Sequence, residues 1–241
     1  MPAGYWDIHN HILPGIDDGS PNDAESLKMI AEEHRQGVRN IIFTPHFRSG
    51  MFTVPADIRE ETYERFVQKA RSRFPDMDFY LGCELHVQKN LGKLLEDARC
   101  RMAGSEYVLL EYSTTADYST LVKYLSEASD LGWRPIIAHA ERCELLCREP
   151  DKALRLRDYG ALIQINADTL LEGFLSKRRK FARTMIEAGA VDFIASDAHG
   201  SSYRPVRIEE CAKAVEKKYG SKTVKQLFKK NPEAAFAAGQ Q

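Results

Sequence analysis

Seven apolar runs punctuate the chain: Tyr5–His9, Asn40–Thr44, Asp78–Cys83, Glu106–Glu111, Pro135–His139, Ala161–Asn166 and Val191–Ser196. They recur at spacings of roughly 25 to 40 residues, the cadence of β/α units. The runs are nearly continuous rather than strictly alternating, as expected of parallel strands covered on both faces. Amphipathic segments fill most of the intervals. Ser20-Pro21 predicts a helix start, with serine as cap and proline at the first helical position. Leu27, Ile30, Ala31 and His34 follow at helical spacing, and Gly37 predicts the stop. Residues 56–73, 118–131, 151–158, 176–188 and 205–218 carry similar patterns, and Thr223–Gln241 reads as a last helix with a frayed alanine-rich tail.

Polar residues stand where the runs end. In chain order these ends offer His9 with His11, His46, Glu84, Glu111, His139, Asn166, and Asp197 with His199. An open doubly wound sheet gathers function at one switch point, whereas a closed barrel lets nearly every strand contribute at one mouth. The pattern therefore predicts an α/β fold, a distorted (β/α)7 TIM-like barrel with its site at the C-terminal face of the strands. One domain spanning 1–241 is expected, since barrels reach this length undivided.

Composition narrows the partners. Hydrophobic residues make up 43% and charged residues 29%, as in ordinary soluble proteins. A net charge of -1 gives no support for bulk nucleic-acid binding. No apolar stretch approaches the ~20 residues of a membrane span, and no secretory signal pattern is visible, so a cytoplasmic protein is expected. The five cysteines (Cys83, Cys100, Cys143, Cys147, Cys211) read as reduced thiols. None is followed six positions later by arginine, which excludes the thiolate loop of cysteine phosphatases: those positions hold Lys89, Glu106, Glu149, Ala153 and Lys217.

The strand-end residues carry the chemistry. Alternate residues of a strand share a face, so His9 and His11 can grip one ion. Glu84 and Glu111 each close an apolar run, where an unpaired carboxylate is costly to bury. His9, His11, Asp18, His46, Glu84, Glu111, His139, Asp197 and His199 are too many ligands for one cation. Two or three divalent ions are expected, and such clusters suit in-line displacement at phosphorus. Arg142 and Arg204 lie on mouth loops and offer planar forks for a phosphoryl group. His86 shares a strand face with Glu84 but reads as a loop histidine. His34 reads as structural, and Lys177–Lys180 as an exposed helix face, with attraction of an acidic phosphopeptide as the second reading.

His9-Asn10-His11-Ile12-Leu13-Pro14-Gly15-Ile16-Asp17-Asp18-Gly19 resembles the opening signature of the polymerase and histidinol phosphatase (PHP) superfamily. With Thr44-Pro45-His46, Gly82-Cys83-Glu84, Ala138-His139-Ala140-Glu141-Arg142 and Ser196-Asp197-Ala198-His199, it more narrowly resembles the bacterial CpsB/YwqE-type protein-tyrosine phosphatases of capsule and exopolysaccharide synthesis. The resemblance implies a trinuclear centre, manganese foremost with Fe, Co or Zn compatible, and phosphotyrosine hydrolysis by metal-bound hydroxide. It implies as partner the C-terminal tail of a bacterial tyrosine kinase. It places His9 and His11 on one ion with Glu111 and Asp197, His139 on a second bridged through Glu111 or Glu84, and Asp18, His46 and His199 on a third. Arg142 and Arg204 match its phosphate-binding arginines, and Asp18 or His199 is a candidate proton donor to the leaving oxygen. The alternatives are a phosphomonoesterase of a small metabolite such as histidinol phosphate, a nuclease, a metal-dependent amidohydrolase, or a non-catalytic regulator that binds the phosphorylated tail.

Overall fold

The structure, a computed structural model, describes residues 4–237. Each apolar run forms a strand: β1 (Tyr5–Asp7), β2 (Val38–Phe43), β3 (His46–Phe47), β4 (Asp78–Leu81), β5 (Glu84–His86), β6 (Tyr107–Glu111), β7 (Arg134–Ile137), β8 (Leu162–Asn166) and β9 (Phe193–Ala195). Two of the seven runs resume after a break, giving the extra short strands β3 and β5. Pro45, which has no amide to donate, marks the first break, and Gly82-Cys83 marks the second. Hydrogen bonds cross both breaks: Gly82 N donates to Phe43 O (2.7 Å) and Glu84 N to Pro45 O (3.1 Å). The interrupted strands are thus two continuous staves with a kink in each.

All pairings are parallel, in the orders β1-β2-β4 and β3-β5-β6-β7-β8-β9. The ring closes between its first and last staves. Asp197 N donates to His9 O (2.7 Å) and His11 N to Ala198 O (2.9 Å), with a parallel bridge at Asn10–Ala198. Buried Asp7 reinforces that seam by accepting from Ser196 N (2.8 Å), Ser196 Oγ (2.6 Å) and Asn10 Nδ2 (3.1 Å). The architecture is the expected distorted seven-stave parallel barrel.

Two cores explain the run composition. Outward residues Ile41, Phe43, Val108, Leu110, Ile137 and Ile163 pack under the surrounding helices. Inward residues Trp6, Ile8, Ile42, Leu109, Ile136 and Phe193 fill the barrel's lower interior together with Phe236. Since both faces are buried, both must be apolar, so alternation is lost.

The helices are α1 (Asp23–Arg35), α2 (Ala56–Arg73), α3 (Leu91–Leu95), α4 (Tyr118–Asp130), α5 (Glu144–Arg148), α6 (Pro150–Leu156), α7 (Lys177–Glu187), α8 (Ile208–Tyr219), α9 (Ser221–Lys225) and α10 (Asn231–Phe236). Three expectations need correction. The cap of α1 is Asn22, whose Oδ1 accepts from Glu25 N (3.0 Å), whereas the Ser20 hydroxyl donates to Asn22 O (3.0 Å) and accepts from Ser26 Oγ (2.7 Å). Asn22 alone stands within reach of the free amides. The last helix is divided by a wider turn at Gln226–Lys230, because Pro232 has no amide hydrogen to return to Phe228. The tail beyond 237 lies outside the described residues. His86 is in strand β5 rather than a loop. Gly37 ends α1 as expected, at φ +88°. The described cysteines are free thiols, and among the described residues no helix is long and apolar enough to cross a membrane.

Candidate metal centre

The first ligand loop is set by local sequence. After His11 the chain turns through Pro14-Gly15 and returns, with Gly15 N donating to Ser20 O (2.8 Å). Gly19 lies so close under His11 that a Cβ there would meet His11 O at 2.1 Å, so only glycine fits. The return holds Asp17 and Asp18 over the mouth. Asp17 Oδ2 accepts from His11 Nδ1 (2.7 Å) and His46 N (2.9 Å).

Glu84 lies at the middle of the centre. Its Oε2 is 3.2 Å from His9 Nε2, 3.3 Å from His11 Nε2 and 2.9 Å from His46 Nδ1, while Oε1 is 2.8 Å from His139 Nε2. Asp197 faces the same imidazoles from β9: Oδ1 is 3.6 Å from His9 Nε2 and 3.4 Å from His11 Nε2. Asp18 Oδ1 reaches both His46 Nε2 and His199 Nε2 at 3.6 Å. Glu111 is more distant, 3.9 Å from His46 Nδ1 and 3.8 Å from His139 Nε2. Every predicted ligand is therefore brought to one mouth. Donor atoms of seven of them fall into three groups within 4.8 Å: His11, Asp18, His46 and His199; His9, His11 and Glu84; His46, Glu84 and Glu111. The groups can hold metal ions. Glu84 lies against His9 and His11, and Glu111 approaches His46 and His139. Glu84 follows the kink at Gly82-Cys83 and pairs with Leu109, so Glu111, paired with His86, stands two residues higher on the neighbouring stave.

Charge is arranged accordingly. Burial would raise the Glu84 and Asp197 carboxyls, yet the facing histidines and, at Asp197, Arg142 hold both well below the usual carboxylate range. Glu111 is pushed up to about 7 by burial and by Glu84. His199 is held down to about 2 by burial and by the charges of His11 and Arg204, so its imidazole is neutral, as a ligand must be and a proton donor must not.

Both arginines converge on Asp197. Arg142 Nη2 and Arg204 Nη2 each donate to Oδ2 at 2.5 Å, and Arg204 Nη1 lies 2.7 Å from His199 Nε2. Among the described residues, four non-glycines have positive φ: Ala103, His139 (30°), Asp197 (50°) and Arg204 (48°). Three of the four belong to this mouth. Left-handed backbone costs about 1–3 kcal/mol at such residues and concentrates where function fixes the side chain.

Residues that hold the ligands were not singled out from sequence. Gln164 Oε1 accepts from His9 Nδ1 (3.0 Å) and His139 N (2.6 Å), and Asp17 does the same for His11. Each directs the imidazole's other nitrogen inward. The signal for Gln164 was an uncharged polar residue inside an otherwise apolar strand. For Asp17 it was the doublet Asp17-Asp18. Asn166 Nδ2 donates to Asp197 Oδ2 (2.7 Å). His86 bonds only its own strand, Nδ1 to Val87 O (2.9 Å), and His34 pairs on the surface with Asp76 (2.9 Å).

A closed parallel barrel with a buried histidine–carboxylate cluster at its C-terminal mouth defines a class of hydrolase-type scaffold. The family model for capsular polysaccharide synthesis proteins of the CpsB/CapC type matches residues 5–237, and the chain belongs to that family. Tyrosine-protein phosphatase CpsB of Streptococcus pneumoniae is 34% identical over 232 residues, covering 94% of this chain and 96% of the relative. Tyrosine-protein phosphatase YwqE of Bacillus subtilis is 31% identical over 224 residues, covering 89% and 85%. A structure from the crystallographic work on B. subtilis YwqE and S. pneumoniae CpsB, described as unique metal-dependent tyrosine phosphatases, superposes with a TM-score of 0.88 at 27% identity, covering 96% of this chain and 94% of that one.

Proposed function

We propose that this chain is a metal-dependent protein-tyrosine phosphatase. One observation carries the reading. His9 Nε2, His11 Nε2, His46 Nδ1, Glu84 Oε2 and Glu111 Oε2 are buried and converge on one mouth, with Glu84 Oε2 2.9–3.3 Å from the three imidazole nitrogens, yet none of these contacts has the geometry of a hydrogen bond. Orphaned buried donors and acceptors are costly, and so many facing one another fit cations as the missing partners. The nitrogen and oxygen donor set suits manganese, iron, cobalt or zinc, with two or three ions and manganese foremost. His9, His11, Asp18, His46, Glu84, Glu111, His139, Asp197 and His199 would hold them. Bound there, they supply activated water and withdraw charge from a phosphoryl group.

The chain's own groups do the rest. Arg142 and Arg204, fixed by Asp197, present guanidinium forks to the phosphoryl oxygens. Gln164 and Asp17 keep His9 and His11 in one tautomer and orientation. A carboxylate that ligates a cation has no proton to give and His199 is neutral, so the proton for the departing tyrosyl oxygen would come from solvent at the rim, where Asp18 is half-exposed. The substrate would be a phosphotyrosine-bearing protein in the cytoplasm, the tail of a tyrosine kinase governing capsule or exopolysaccharide synthesis. The relatives' printed activities support this reading.

The test is turnover of a phosphotyrosyl peptide and of histidinol phosphate by protein stripped with a chelator and then reloaded. Activity on the peptide should vanish on stripping and return with manganese. An enzyme indifferent to exhaustive chelation sinks the metal assignment; preference for histidinol phosphate sinks the substrate assignment.

A further inference from the structure

The basic run Lys177–Lys180 opens α7 with Lys177, Arg178 and Lys180 exposed, as expected, and these three also stand on the wall of a cavity. That cavity, about 670 Å³, runs between α5 and the start of α7 and is lined by five cations: Arg142, Arg148, Lys177, Arg178 and Lys180. Its size is that of ligand clefts. Arg142 belongs to both regions, since it lines the cavity and its Nη2 holds Asp197 at the centre. The cavity therefore adjoins the mouth at Arg142.

The charge in it is lopsided. Glu141 is turned inward, its Oε1 accepting from Asn166 N (2.8 Å) and Thr169 Oγ1 (2.9 Å), which leaves Glu144 as the outward carboxylate on the wall. Arg178 is paired with Glu172 (2.6 Å), and Arg148 lies 3.7 Å from Glu149. The ammonium groups of Lys177 and Lys180 have no carboxylate partner among the described residues. Immediately before the cap residue Ser176, Phe174 and Leu175 are 84% and 83% exposed, the highest values among the described large apolar side chains.

We infer that this cavity is a peptide subsite that takes acidic residues flanking the phosphotyrosine, with Lys177 and Lys180 as its free charges. The inference rests on the phosphatase reading and names the sequence context that reading leaves open. A phosphoryl group held by Arg142 must be attached to a chain that leaves the mouth, and the cavity is a concave, positively charged exit beside Arg142. Carboxylates entering it meet cations with no intramolecular partner to displace. Phe174 and Leu175 line a neighbouring cavity that shares Lys177 and Lys180 with this one. A bilayer, being flat, reaches Phe174 and Leu175 but not a cavity that extends back to Arg142.

The test uses full-length, manganese-loaded protein and three substrates: p-nitrophenyl phosphate, a phosphotyrosyl peptide flanked by glutamates, and the same peptide flanked by glutamines. Wild type should favour the acidic peptide on the order of tenfold in kcat/KM at low salt, the preference shrinking as salt screens it. Lys177→Glu with Lys180→Glu should abolish that preference through KM, and Lys177→Gln with Lys180→Gln should reduce it by an intermediate amount. Turnover of p-nitrophenyl phosphate by the variants certifies an intact centre. Equal use of both peptides by wild type, or a preference surviving charge reversal, overturns the subsite while leaving the phosphatase standing. Loss of anionic-vesicle binding in the variants with peptide preference intact assigns the cations to a lipid surface instead. No turnover of any phosphate ester by the metal-loaded wild type overturns both readings together.

Discussion

The two ends of the barrel interior are built from the same staves and obey opposite rules. At the bottom, Trp6 stacks on Tyr80 (5.6 Å between centroids), and Phe236 touches Trp6, Tyr107 and Phe193 at 6.2, 5.4 and 5.8 Å. Most inward groups there are apolar or aromatic, buried Asn40 beside Trp6 being polar. At the mouth, a few residues farther along, the inward groups are imidazoles and carboxylates with unsatisfied atoms and left-handed backbone. The bottom gains stability from burial; the mouth stores unfavourable desolvation and strain that a bound cation can relieve. Folding and chemistry are thus separated along one axis.

That contrast can be broken from either end. The largest effect is expected for Asp197→Ala, which removes the carboxylate facing His9 and His11 and frees both arginines: phosphotyrosine turnover should fall by at least about three orders of magnitude with the far-UV spectrum and melting point retained. An active, metal-loaded variant refutes the assignment. Phe236→Ala should do the reverse, costing about 3–5 kcal/mol of stability in a denaturant titration. Its kcat per folded molecule should stay at the wild-type value; a specific loss of kcat would mean that the ends are coupled. Arg142→Ala should lower kcat/KM by roughly 10²-fold, as for loss of one preorganised donor, with metal content unchanged by elemental analysis. Gln164→Leu should weaken metal affinity about 10- to 100-fold by leaving His9 Nδ1 without its acceptor, measured as the manganese concentration for half-maximal activity. The control is His34→Asn, whose exposed pair with Asp76 should change stability by less than about 1 kcal/mol and turnover not at all.

The fold was unusually legible. Runs such as Asn40–Thr44 and Ala161–Asn166 fell on β2 and β8 within a residue or two, because a strand buried on both faces has to be apolar throughout. Helix ends were read well where one residue type has a single use, as with Gly37 after α1. They were read less well where several candidates stood together, as with Ser20 and Asn22. The nine ligand candidates were legible because a charged or imidazole group closing an apolar run has few other reasons to be there. Gln164 and Asp17 escaped notice because uncharged or doubled polar residues have many.

The order of apolar runs and the chemistry at their ends were determined by the sequence: parallel staves, one polar mouth, and a nitrogen–oxygen donor set suited to cations. Tertiary structure alone decided who faces whom. Glu84 rather than Glu111 stands against His9 and His11, and Lys177 and Lys180 share a cavity with Arg142. The physical reason is that periodicity fixes a residue's face and height on its own strand, whereas pairing across the barrel depends on kinks, stagger and closure, which are settled by long-range packing.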